Sequence, residues 1–82
     1  MFSRDEQIWI SAVRYALGRR TYIVHITVEY MIERLPIMSP GCKRIIMRDI
    51  EDQVKRGLGD ECDKDDWMRL LSAIMEDLYG IS

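Results

Sequence analysis

TYIVHITVEYMIERL, Thr21 to Leu35, is the stretch on which the fold turns. Its first half is rich in β-branched residues, and Tyr22, Val24, Ile26 and Val28 alternate with Thr21, Ile23, His25 and Thr27 as a strand would require. At helical spacing the same stretch places His25, Glu29 and Glu33 on one polar stripe, four residues apart. No other segment offers a convincing partner strand, and an unpaired strand leaves backbone amides and carbonyls unsatisfied. The helical reading follows, with Thr21 as N-cap and an end near Leu35, because Pro36 pushes the residue before it out of helical geometry. Outside its polar stripe this helix is apolar on nearly every side. It should be the central helix, or be covered in part by a second copy of the chain.

On the N-terminal side, Ser3 to Leu17 reads as the first helix. Ser3 and Glu6 have capping-box spacing, and Trp9, Ala12, Val13, Ala16 and Leu17 form one face that Ile8 and Ile10 widen. Gly18 is placed to end it in a left-handed cap. On the C-terminal side, Ile37 to Gly41 is a connector. Ser39 and Pro40 there look like an N-cap followed by proline at the first helical position. Helix three then runs to about Arg56 with Ile46, Met47, Ile50 and Val54 inward, Gly57 just beyond, and possible outer pairs Glu51–Lys55 and Asp52–Arg56. After a loop from Gly57 to Cys62, Asp63 is expected to cap the fourth helix, with Asp65 and Asp66 in its first turn. Trp67, Leu70, Leu71, Ile74, Met75 and Leu78 form its apolar stripe, and Gly80 with Ile81 suggests a Schellman ending. The fold class is all-α: a compact, self-associating bundle of about four helices forming one domain over residues 1–82.

Length supports this reading, since 82 residues with 48% hydrophobic content build one core and no second. A core that small is only marginally stabilising, which makes a homo-oligomer a reasonable expectation. No apolar run approaches the roughly 20 residues of a bilayer span, and the first residues do not resemble a secretion signal. A soluble cytoplasmic protein with no membrane partner is expected. The net charge of −2 hides an asymmetry: residues 1–58 carry 10 basic and 7 acidic side chains, residues 59–82 carry 2 and 7. That is too little positive charge for a general nucleic-acid binder.

Enzyme templates fit poorly. The chain has no phosphate-loop pattern, no nucleophile elbow and a lone histidine, His25, on a polar stripe. Cys42 and Cys62 flank the third helix, which holds its ends roughly 20 Å apart at about 1.5 Å per residue, so reduced thiols are expected. The acidic run from Asp60 to Asp66 lacks the glycine and closing glutamate of a calcium loop, and no four-ligand zinc set exists. No enzyme, cofactor or metal site is expected.

The better candidate is RYALGRRTY, Arg14 to Tyr22. Arg19 and Arg20 lie beside the free amides expected at the start of the second helix, a natural anion site, and Arg14 lies one turn back. Tyr15 and Tyr22 offer flat faces to a base. Arg48, with Lys43 and Arg44, forms a second basic cluster. The predicted ligand-binding set is Arg14, Tyr15, Arg19, Arg20, Thr21, Tyr22 and Arg48. The plainer alternative pairs these arginines with internal carboxylates, Arg14 or Arg48 with Asp49.

Arg14 to Ile23, followed by the R-D-I of Arg48 to Ile50 and the W-x-x-L-L of Trp67 to Leu71, resembles a group of small phage and prophage proteins. These share a W-x4-R-Y-A-L-G-R-x-T-Y-I/V opening and an R-D-I helix. Trp9, Arg14, Tyr15, Gly18, Arg19, Thr21, Tyr22, Arg48 and Asp49 match here. The resemblance implies a phage origin and no particular activity. The leading expectation is a non-enzymatic counter-defence protein that sequesters a phosphorylated nucleotide signal. Two alternatives stand beside it. One is an inhibitor that contacts a host protein through an apolar face around Met31, Met68, Met75 and Tyr79. The other is a small DNA-binding regulator using helix three.

Overall fold

The computed structural model describes residues 2–18, 22–57 and 61–80, and for Tyr22, Glu61 and Cys62 the backbone only. Four helices account for nearly all of it: α1 (Arg4–Leu17), α2 (Tyr22–Arg34), α3 (Pro40–Lys55) and α4 (Glu61–Tyr79). The stretch that also reads as a strand is helical from Tyr22 onward. Pro36 ends α2 by turning the chain into a short 3-10 turn, Leu35–Ile37, rather than by stopping it outright.

The helices pack as a ring in the order α1, α2, α4, α3. That leaves α2 and α3, neighbours in sequence, on a diagonal. The connection between them crosses one end of the bundle, and it buries Leu35 and Met38 on the way, each 5% exposed. The core between the four helices holds Val13, Ala16, Val24, Val28, Ile46, Ile50, Trp67, Leu70 and Ile74. Among the described residues the Trp67 Nε1–H meets no acceptor, and packing of its buried ring holds it in place.

The crossing is fastened by Glu6. Ser3 caps α1 through the expected box, with Glu6 N donating to Ser3 Oγ at 3.2 Å and Ser3 N donating to Glu6 Oε1 at 3.1 Å. The second carboxylate oxygen, Oε2, accepts from Ser39 N at 2.7 Å, and Ser39 in turn caps α3 by accepting from Cys42 N at 3.2 Å. One carboxylate thus serves the N-caps of two helices. The approach is close enough that a Cβ on Gly41 would lie 3.2 Å from Cε1 of the Phe2 ring. At the α3–α4 seam, the nearly buried Lys43 donates to Asp77.

Several expected ends shift. Gly18 closes α1 at φ −87°, outside the left-handed region, donating its N–H to Tyr15 O at 3.1 Å. Left-handed glycines do follow α3 and α4, at Gly57 (φ +82°) and Gly80 (φ +69°). Asp63 does not cap α4: that helix starts at Glu61, and Asp63 sits inside it, 5% exposed. The expected Thr21 cap and the fold-back of Ile81 lie outside the described residues. Nor is α2 central, because it is one corner of a ring with α1 and α4 as its neighbours.

Hydrogen bonds from the Ser39 side chain, then the Ser39 and Ser3 backbone amides, hold the Glu6 carboxyl down at about 2 against an ordinary 4.5. A depressed folded-state pKa adds stability that is fully present above 4.5 and disappears as pH falls toward 2. The thermal midpoint should drop across that window, and Glu6→Gln should lower it at neutral pH while flattening the acid limb. Circular dichroism melts of both proteins between those pH values check this.

Candidate functional site

Arg14 leaves α1 toward α3 one turn before the helix ends. Its Nε donates to Asp49 Oδ2 at 2.8 Å, with side-chain exposures of 61% for the arginine and 22% for the aspartate. Beside this pair lies an open cleft of about 320 Å³ lined by Arg14, Leu17, Gly18, Asp49, Asp52 and Gln53. Asp52 is itself met by Arg56 Nη2 at 3.4 Å. The rim therefore carries paired charges of both signs, and an anion entering the cleft must compete with Asp49 for Arg14.

Of the other members of the predicted ligand set, the two whose side chains are described, Tyr15 and Arg48, do not line this cleft. Tyr15 follows Arg14 but emerges about 100° further round α1, 57% exposed and away from the cleft lining. Arg48 is exposed on the outer side of α3 and does not line the cleft either. Arg19, Arg20, Thr21 and the side chain of Tyr22 lie outside the described residues. Of the two internal pairings open to Asp49, the structure forms the one with Arg14.

The polar stripe of α2 faces α4. Arg69 Nη1 lies 2.7 Å from Glu29 Oε1, and Arg69 Nη2 and His25 Nδ1 each lie 3.4 Å from Asp66 Oδ1. This leaves α2 with apolar side chains toward solvent: Ile23, Ile26 and Tyr30, each 42–46% exposed. With Ile8 and Ala12 of α1, Ile26 and Tyr30 surround a shallow apolar cleft of about 250 Å³ floored by Trp9 and Met31. Arg34 lies over the Tyr30 ring at 4.2 Å. The sequence marks the α2 side of this face, a helix apolar on nearly every side that a second copy could cover, and the α1 side carries a signal as well, Ile8 and Tyr15 being seven apart.

The methionine face divides. Met31 is in the core, 1% exposed, because it follows Val24 and Val28 on the inner side of α2. Met68, Met75 and Tyr79 are exposed on α4, at 38%, 37% and 53%. Among the described residues no three His, Cys, Asp or Glu side chains gather as metal ligands, and no helix is long and apolar enough to cross a membrane. Comparison with protein-family models, with characterised proteins and with solved structures returns no match to this chain.

Cys42 is fully buried at the start of α3, and burial, then the nearby Glu6 charge, pushes its thiol up to about 11. In a Cys62→Ser background, iodoacetamide at pH 8 should leave the native protein unlabelled and label it once on denaturation. Labelling of the folded chain, read by intact mass, would contradict this. Asp49→Asn should lower stability by no more than about 1 kcal/mol, because its partner is mostly solvated. Urea titration measures that difference.

Proposed function

We propose that this chain is a non-enzymatic binding protein that works by direct contact with another protein, with the exposed edge of α4 formed by Met68, Met75 and Tyr79 as its working surface. The observation that carries the reading is where its large apolar side chains lie. Among the described residues nine of them, including Met68, Met75 and Tyr79, are 37–68% exposed, whereas the described arginine of the RYALGRRTY segment is bonded to an internal carboxylate. Scattered apolar side chains are normal on a surface, but Met68, Met75 and Tyr79 follow helical spacing of seven and four. Methionine side chains adapt their shape to whatever packs on them. In the phage setting that the sequence resemblance implies, the partner is a host protein and the role is counter-defence.

Sequestration of a phosphorylated nucleotide is the second reading, and a separate observation favours it. The Arg14 guanidinium is held through Nε, and among the described residues no carboxylate meets its two Nη groups, beside a 320 Å³ cleft next to the glycine turn. An arginine oriented by a carboxylate can present a fork to phosphate. Asp49 and Asp52 on the same rim weigh against it.

Tagged full-length protein incubated with bacterial host lysate should retain one protein in stoichiometric amount. Met68→Glu combined with Met75→Glu should release it, and Arg14→Ala should not. A wild-type chain that retains no protein, or a double variant that retains as much, overturns the contact reading. Calorimetric heat from a nucleotide that vanishes in Arg14→Ala establishes the second reading in its place.

A further inference from the structure

We infer that the outer face of the α1–α2 pair docks on the same face of a second copy of this chain. The inference stands on the face itself and does not depend on the α4 contact proposed above. The side chains concerned are Ile8, Ala12 and Tyr15 of α1 with Ile23, Ile26 and Tyr30 of α2. A helix on the surface of a bundle ordinarily turns its polar stripe to water. Here α2 exposes more than its polar stripe. His25 and Glu29 are engaged with Asp66 and Arg69 at the α4 seam, and isoleucines and a tyrosine are left toward solvent.

The extent of the face matches what a stable dimer needs. Ile8, Tyr15, Ile23, Ile26 and Tyr30 are between 42% and 57% exposed. At roughly 150–250 Å² for an aromatic side chain and about the low end of that range for isoleucine, the five leave on the order of 400 Å² open. A standard two-fold interface takes about 800 Å² from each partner, of which about 60% is non-polar, or roughly 480 Å². The two areas are of similar size.

The chemistry of the face selects a copy as the occupant. The six side chains themselves carry no formal charge, the paired Arg34 and Glu33 lie beside Tyr30 at one edge, and a two-fold axis presents an apolar centre with an equal one automatically. Two short helices laid on two others complete a second four-helix layer of the kind already seen inside the chain. The partly open cleft between Ile8, Ala12, Ile26 and Tyr30 gives a protruding side chain of the opposing copy somewhere to seat.

Sedimentation velocity of the full chain between about 5 and 200 µM tests this, that range spanning the weaker affinities of such interfaces. The wild type should run at twice the chain mass in the upper part of the range. Ile26→Asp and Ile8→Glu, on different helices, should each weaken association by more than about a hundredfold and run as monomers, since each buries an unpaired charge. Both side chains are about half exposed, so helical circular dichroism should be unchanged, which shows that folding survives. Met68→Glu should leave the dimer intact. A wild type that stays monomeric to the top of the range overturns the inference and leaves the face to a different partner. So does a dimer that both variants preserve, because it would use another surface.

Discussion

Glu6 sits where the N-termini of α1 and α3 meet, and its two carboxylate oxygens accept one backbone amide from each. Each helix start carries unsatisfied amides and a partial positive charge, so two starts side by side need an acceptor between them. Helix α1 supplies that acceptor at the third position of its own capping box. The equivalent position of α3 is Cys42, which has no carboxylate to reach back with, so the α3 N-cap is completed from another helix. The same bond places α3 beside α1 rather than beside α2. The ring order and the buried crossing at Leu35 and Met38 are consistent with that placement, and the core packing shares in it.

The ring order also explains which surfaces are left. With α4 on its far side, α2 meets a helix rich in acidic residues, and the stripe of His25 and Glu29 finds Asp66 and Arg69 there. On its near side α2 meets α1, whose off-core residues at that edge are Ile8, Ala12 and Tyr15. Apolar edges of two helices therefore come together facing water, with Arg34 over the Tyr30 ring at one end. The arginine corner at the end of α1 has the opposite character, with Arg14 and Asp49 satisfying each other beside a cleft of mixed sign.

Much of the fold was legible from local chemistry. The Ser3–Glu6 box, the Ser39–Pro40 start and the Gly57 end are each set by a few neighbouring residues, and each appears where those residues place it. The inner faces of α1, α3 and α4 were largely plain, because one apolar stripe per helix admits one orientation, but Ile8 and Met75, read onto those stripes, are 53% and 37% exposed at their outer edges. What could not be read depended on which helices become neighbours. A helix apolar on most sides, as α2 is, does not announce which side faces the core, and so Met31 seemed available for a surface when it is buried. The capping of Ser39 by Glu6, 33 positions away, has no local signature at all. Of the candidate ligand set, only the side chains of Arg14, Tyr15 and Arg48 are among the described residues, and these three do not share one cleft. Arg14 and Tyr15 are adjacent in sequence but project about 100° apart on a helix, so one cleft does not collect both.

The diagonal crossing has a consequence for the order of assembly. Loop-closure entropy grows with the length of chain enclosed, so α1 and α2, joined by a few residues, can pair well before α1 finds α3 across 33 positions. A hairpin formed at that stage is apolar on both sides, toward the missing α3 and α4 and toward the outer face alike. Until the crossing is latched, the nascent hairpin presents two adhesive sides to its neighbours, and a newly made chain is most vulnerable to aggregation during that interval.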